Sequence, residues 1–184
     1  GKDILGFPLT HTNNGWLNLD GSEYVDCGNS SVLRMGGALT LEAWAKITSS
    51  SESIIIAKDD NSSDRAYKLT MDSNQNLTMR IDSGSATAYK SGSTSINDGD
   101  WHHLVGVYIP STSITVYLDG SSDGTNTSSI PSTLNQDDEN IFLGKLGDNT
   151  LYWDGQIDEV KIYNRALSTA EITKNYKHGK SKHS

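Results

Sequence analysis

Apolar residues return at every second position over many short stretches of this chain, and that rhythm constrains its fold more than any other feature. Leu77, Met79 and Ile81 alternate with Thr78, Arg80 and Asp82, and Ile114, Val116 and Leu118 alternate with Thr115, Tyr117 and Asp119. Within L-T-L-E-A-W-A-K-I, Leu39, Leu41, Ala43, Ala45 and Ile47 do the same. Successive side chains of a strand point to opposite sides, so each run predicts a strand that buries one face and wets the other. Further strand-like runs lie at 16–19, 24–27, 53–58, 66–72, 86–90, 101–109, 140–144 and 155–163. Turn clusters separate them, among them Asp72-Ser73-Asn74, Asp98-Gly99, Asp119-Gly120, Asp123-Gly124 and Gly147-Asp148-Asn149. Glycine accepts the positive φ of tight hairpins without steric penalty. About a dozen strands at this spacing predict an all-β fold, two antiparallel sheets packed as a sandwich or jelly roll.

One short C-terminal helix is expected. Ser168 and Glu171 have the spacing of a capping box, in which the serine oxygen accepts a backbone N–H while the glutamate reaches back. The helix should end near Tyr176 and dock through Leu167 and Ile172, because a helix this short is marginal alone in water. Residues 1–179 read as a single domain and 180–184 as a disordered tail. A chain of 184 residues buries roughly 70% of its unfolded surface, enough for a core without disulfide or metal.

The formal charge of −8 repels phosphate backbones, and the only basic cluster is Lys177, Lys180 and Lys182 in the tail, so nucleic acid is excluded as a partner. No apolar run reaches the ~18 residues needed to span a bilayer, so no membrane insertion is expected. Cys27 is the only cysteine; it can form no intrachain disulfide and reads as a small buried hydrophobe.

Four stretches resemble the laminin G-like group of the concanavalin A-like lectin/glucanase superfamily, to which the pentraxins also belong. They are L-N-L-D-G-S-E-Y-V-D (17–26), L-T-L-E-A-W-A-K-I (39–47), N-D-G-D-W-H-H-L-V-G-V-Y (97–108) and W-D-G-Q-I-D-E-V-K-I-Y-N-R-A-L-S (153–168). The resemblance implies a concanavalin A-like jelly roll used for binding or adhesion, attached to larger surface proteins or to polysaccharide-degrading enzymes.

In G-Q-I-D-E-V-K-I-Y the apolar phase slips between Ile157 and the pair Val160 and Ile162, which predicts a β-bulge near Asp158 and Glu159. Jelly rolls resembling this one hold a structural calcium through an aspartate at a comparable place, which implies Asp158 as a ligand and Asp20, in the early L-D-G turn, as a second. Without an ion, Asp20 caps its own turn and Asp158 accepts backbone N–H bonds. A weaker second calcium site is expected at Asp60, Asn61 and Asp148, in the crowded loop Asp59, Asp60, Asn61, Asp64 and the segment after the L-G strand. That segment lacks the glutamate of the pentraxin pattern.

For a carbohydrate ligand, the rim loop carrying Asp148, Tyr152 and Trp153 is the expected place, since function sits on loops above a rigid scaffold. Trp101 reads as buried, and Trp44, in phase with Glu42 and Lys46, as partly exposed. His102 and His103, adjacent on a strand, face opposite ways and cannot share a metal.

Glucanases of the superfamily need carboxylates about 5 Å apart on one face, and no such run exists here; Asp154, Asp158 and Glu159 are the nearest approach. The expectation is therefore a non-enzymatic carbohydrate-binding or adhesion module of an extracellular or cell-surface protein, stabilised by calcium. The alternative is a structural spacer or protein-interaction domain with no sugar ligand.

Overall fold

The computed structural model describes residues 4–6, 15–47, 49–62, 65–136 and 138–183. Among them run thirteen strands, a single 3-10 turn (Ser31–Leu33) and one α-helix: β1 (Ile4–Gly6), β2 (Leu17–Asp20), β3 (Val25–Asp26), β4 (Leu39–Ile47), β5 (Ser53–Asp59), β6 (Arg65–Met71), β7 (Asn76–Asp82), β8 (Thr87–Ser95), β9 (His102–Ile109), β10 (Ser113–Leu118), β11 (Ser121–Asn126), β12 (Phe142–Leu143), β13 (Asp154–Tyr163) and α1 (Thr169–Lys180). The first sheet has the order β1-β13-β4-β9-β10-β11, with β2 also paired to β13, and the second has the order β3-β12-β5-β6-β7-β8. All pairings are antiparallel. The expected two-sheet sandwich with one C-terminal helix is what forms.

The apolar phases meet between the sheets, where Leu41, Leu69, Met79, Leu104, Tyr108 and Ile157 pack in one cluster. The slip in β13 is a bulge: pairing with β4 shifts between Asp158 and Lys161, and Glu159 takes a φ of 46°. The extra residue lets Ile157, Val160 and Ile162 all reach the same core.

The expectation that every strand wets one face fails for β5, whose Ile54 and Ala57 pack with Leu146 and Leu151 apart from the main core, and for β4 and β9 in the first sheet. Leu41 and Ala43 are buried, but so are Thr40, Glu42, Trp44, His103, Val105 and Val107 on the opposite phase. The cover is α1, whose Leu167 approach and Ile172 pack with Val105, Val107 and Tyr163. Its capping box is complete: Glu171 N–H donates to Ser168 Oγ (3.3 Å) and Ser168 N–H donates to Glu171 Oε2 (2.8 Å).

The helix runs past Tyr176 to Lys180, because Gly179 lets the backbone press against Trp44; a Cβ there would lie 2.2 Å from Trp44 Nε1. The tail also differs from expectation. Lys180 belongs to the helix, and the His183 side chain, 1% exposed, stacks on Trp44. Ser184 lies outside the described residues.

At the far edge the sandwich is closed by polar groups. The Asp123 carboxylate of β11 accepts from Ser93 N–H, Ser93 Oγ and Thr94 Oγ1 of β8 at 2.9 to 3.0 Å, so one aspartate ties the edges of both sheets together.

Candidate functional site

Leu146 and Leu151 cover the second sheet at Ile54 and Ala57 of β5, and among the described residues no strand or helix lies over the outer side of β6, β7 and β8, where antiparallel register organises the side chains into two rows. Lys68 stands opposite Arg80, and Arg80 opposite Tyr89. One step along, Thr70 faces Thr78 and Thr78 faces Ser91. Each row crosses two strand spacings, ~9.5 Å, and the rows lie ~7 Å apart. With Glu52, Asp72 and Asn74 they line a groove of about 380 Å³. Tyr89, 63% exposed, is the aromatic wall at one end.

Neighbouring groups fix the polar side chains of this groove. Thr78 Oγ1 lies 2.6 Å from Ser91 Oγ and donates to Asp72 Oδ2 at 3.1 Å. Asp72 Oδ1 is held by the N–H groups of Asn74 and Asn76. Two cations directly opposite, Lys68 and Arg80, would repel, and buried carboxylates offset them. Arg80 reaches Asp82 at 3.4 Å and Asp59 at 3.9 Å. Burial holds the Lys68 ammonium below its ordinary value, with Asp59 opposing that shift and Arg80 adding to it. Burial likewise raises the Asp59 carboxyl, against the Asn61 N–H and the surrounding cations. The face thus presents fixed hydroxyls, cations and carboxylates beside one exposed ring, an arrangement suited to a ligand with many hydroxyls and an apolar flank.

The sequence-predicted residues are distributed elsewhere. β2 does pair with β13, but Asp20 stands opposite Asp154, four residues from Asp158 and therefore ~13 Å from it along the strand. One calcium cannot join Asp20 to Asp158. Asp20 accepts from Ser22 N–H (3.0 Å) and Ser22 Oγ (2.6 Å), which hold its carboxyl below the usual range. Asp158 accepts the Glu159 N–H at 2.7 Å and faces His183 Nε2 at 3.0 Å, so hydrogen-bond donors surround it where calcium needs further oxygen atoms.

The second set is brought together: Gly147 N–H donates to Asp59 O at 2.9 Å, which seats the loop of Asp148 against that of Asp60 and Asn61. Asp60 holds Ser62, and Asp148 holds Thr150. Asp64 lies outside the described residues. Among the described residues no three His, Cys, Asp or Glu side chains gather as a metal cluster, so an ion here would rely on Asp60, Asn61, Asp148 and carbonyl oxygens, donors of the hard kind calcium takes.

Trp153 is not a rim residue. It is fully buried in the main core, because the backbone of Trp153 closes onto Gly144 and Gly21 and its ring turns inward. Tyr152 remains half-buried at the rim beside the more exposed Tyr24, with ring centroids 6.4 Å apart. Trp44 is covered rather than exposed, while Trp101, expected to be buried, keeps a half-buried position against Trp16 at 5.7 Å. The two histidines diverge as expected: His102 lies between Asp98 and Asp119, and His103 points to Glu42. Cys27 is partly buried, its thiol pushed up to about 11 by burial and Asp26. Lys68, Arg80 and Tyr89 are not among the expected site residues, although the outward phase of Arg80 is readable; which outward surface stays open depends on where α1 and the loop of Leu146 and Leu151 dock.

Residues 19–173 match the Laminin_G_3 family, described as the concanavalin A-like lectin/glucanases superfamily. No curated protein sequence matches the chain. Among solved structures, the Ruminococcus gnavus IT-sialidase CBM40 bound to α2,3 sialyllactose is 14% identical with a TM-score of 0.68, covering 88% of this chain and 96% of that one. Domain 4 of AbnA, an extracellular GH43 arabinanase from Geobacillus stearothermophilus, in complex with arabinotriose, is 18% identical with a TM-score of 0.67, covering 86% and 75%. The binding domain of Paraclostridial Mosquitocidal Protein 1 is 15% identical with a TM-score of 0.66; the match covers 90% of this chain but only 46% of that one. At these identities the likeness is one of fold.

Proposed function

The chain belongs to the Laminin_G_3 family of the concanavalin A-like lectin/glucanases superfamily, and on that premise we propose that it is a non-catalytic carbohydrate-binding module acting outside the cell. The observation that carries this reading is the groove on β6, β7 and β8, where an exposed Tyr89 borders the part-exposed Arg80 and Ser91 above the buried Lys68, Thr70 and Thr78. A pyranose offers an apolar flank to an aromatic ring and hydroxyls to both donors and acceptors, and these groups are already held in place, so binding orders few of them. Neighbours of the same fold bind sialyllactose and arabinotriose, which supports saccharide as the ligand class. Asp158 and Glu159 face His183, Lys161 and Lys182, an arrangement that serves packing rather than bond cleavage. Calcium belongs to this proposal at the loop pair Asp60, Asn61 and Asp148, where it would stiffen the rim.

A glycan array carrying sialylated and arabinan oligosaccharides, probed with and without EDTA, tests the reading. Tyr89→Ala should weaken the hits about tenfold or more while leaving the melting temperature within a few degrees, because the ring is exposed. An array with no hits, joined to thermal stabilisation by calcium, would instead assign the chain to the structural-spacer role.

A further inference from the structure

Away from that face, a cleft of about 550 Å³ opens beside the end of α1, lined by Trp16, Trp44, Trp101 and Tyr176 together with charged groups. The chain's own His183 sits in its wall. The imidazole lies flat on Trp44, with ring centroids 4.4 Å apart and planes 8° from parallel, and Trp101 closes in at 4.7 Å and 59°.

Both ring nitrogens are engaged. Nε2 is 3.0 Å from Asp158 Oδ2, and Nδ1 is 2.9 Å from the carbonyl of Gly179. A carbonyl only accepts, and an ionised carboxylate only accepts. The seat therefore sets two acceptors on opposite sides of a planar ring, the arrangement that fits a planar group donating from two nitrogens. Three features of the seat suit a planar cation: an indole face beneath it, the Asp158 carboxylate, and the negative end of the α1 dipole at the Gly179 carbonyl.

We propose that Trp44, Trp101, Asp158 and the C-terminal carbonyls of α1 form a binding site for a planar nitrogen cation, which the chain fills with its own His183. An imidazolium or guanidinium group presented by another molecule competes for the same seat. Asp158 of β13 meets the ring, and the cleft around it is also lined by Lys46 of β4, Asp100 and Asp119 of the neighbouring loops, Lys180 at the end of α1 and Lys182 just past it. Lys182 is itself drawn onto Glu159, which leaves Asp158 as the carboxylate that meets the ring.

The test uses the full chain. His183→Gly empties the seat, and 4-methylimidazole is the probe at about pH 5.5, where it is charged, and about pH 8.5, where it is neutral. The variant should bind the charged probe saturably, read as a change in tryptophan fluorescence and a melting temperature raised by ~3 °C or more. Wild type should show neither, the neutral form should bind at least tenfold more weakly, and Asp158→Asn in the same background should abolish the signal. Equal responses in wild type and variant, or equal affinity at both pH values, overturn the proposal. Should His183→Gly fail to fold, His183→Ala takes its place with the same probe and readouts, and a missing signal there overturns the proposal.

Discussion

Replacing Glu42 by glutamine should remove most of the acid sensitivity that the helix-covered face gives this fold. Glu42 is fully buried and accepts from Asn175 Nδ2 at 2.8 Å and Lys161 Nζ at 3.0 Å, with His103 Nε2 at 3.3 Å. Burial alone would raise its carboxyl, but His103, Lys161 and Asn175 outweigh it and bring the value from 4.5 down to about 2. A depressed carboxylate stabilises the fold above its unfolded value, and that stabilisation disappears as pH falls through the folded one. Two and a half units correspond to about 3 kcal/mol, present at neutral pH and lost between about pH 4.5 and about pH 2. Glutamine keeps the shape and one acceptor, while Lys161 can still turn to Glu159, so the loss should not exceed that figure by much. In a domain of this size it lowers the melting temperature by roughly 6–12 °C. Urea unfolding followed by tryptophan fluorescence at about pH 7, pH 4.5 and pH 2 measures it. The gap between wild type and Glu42→Gln should be widest at neutral pH and narrow steadily below about pH 4.5. A gap that stays constant to the lowest pH, or one under about 1 kcal/mol at neutrality, refutes the assignment of Glu42 as an ionised anchor for α1.

Two further substitutions probe the same cover. Ser168→Ala removes the oxygen that accepts the Glu171 N–H and should cost about 1 kcal/mol by urea unfolding, with unchanged glycan-array results. Gly179→Ala gains helix propensity of about 1 kcal/mol but drives a methyl to 2.2 Å from Trp44 Nε1. The ring already stacks with Tyr176 and His183, so net destabilisation of about 1–3 kcal/mol is expected, and a stabilised variant would show that the helix can lift without loss.

The sandwich was legible because its core strands obey a strict rhythm: Leu77, Met79 and Ile81 face inward as their spacing demanded, and the slipped phase after Ile157 is a true bulge. β11, Ser-Ser-Asp-Gly-Thr-Asn, carries no apolar residue at all. It is a strand through its hydrogen bonds to β10 and through Asp123, neither of which leaves a periodic trace. The site residues were less legible for a related reason. Periodicity says that Trp44 and Tyr89 both point outward from their sheets, and nothing local says that one lies beneath a helix while the other meets solvent. Trp153 misled in the opposite sense, since aspartates on a turn surround it in sequence while its ring faces the core.

The composition of the two outer faces explains why they met different fates. On β4 and β9 the outward phase supplies Trp44, Val105 and Val107 around a carboxylate, and an exposed apolar patch of that kind demands a partner; α1 and the tail provide it from the same chain. On β6, β7 and β8 the outward phase supplies Lys68, Thr70, Thr78, Arg80 and Ser91, whose charges and hydroxyls largely satisfy one another across the strands. A face so composed has no need of cover and can stay open at little cost. Arg80 and Ser91 stay part-exposed for a ligand that brings its own hydroxyls, and among the described residues of β6, β7 and β8 Tyr89 is the large apolar group left in water. The burial of one outer surface and the openness of the other therefore follow from the same alternation, read on its second phase.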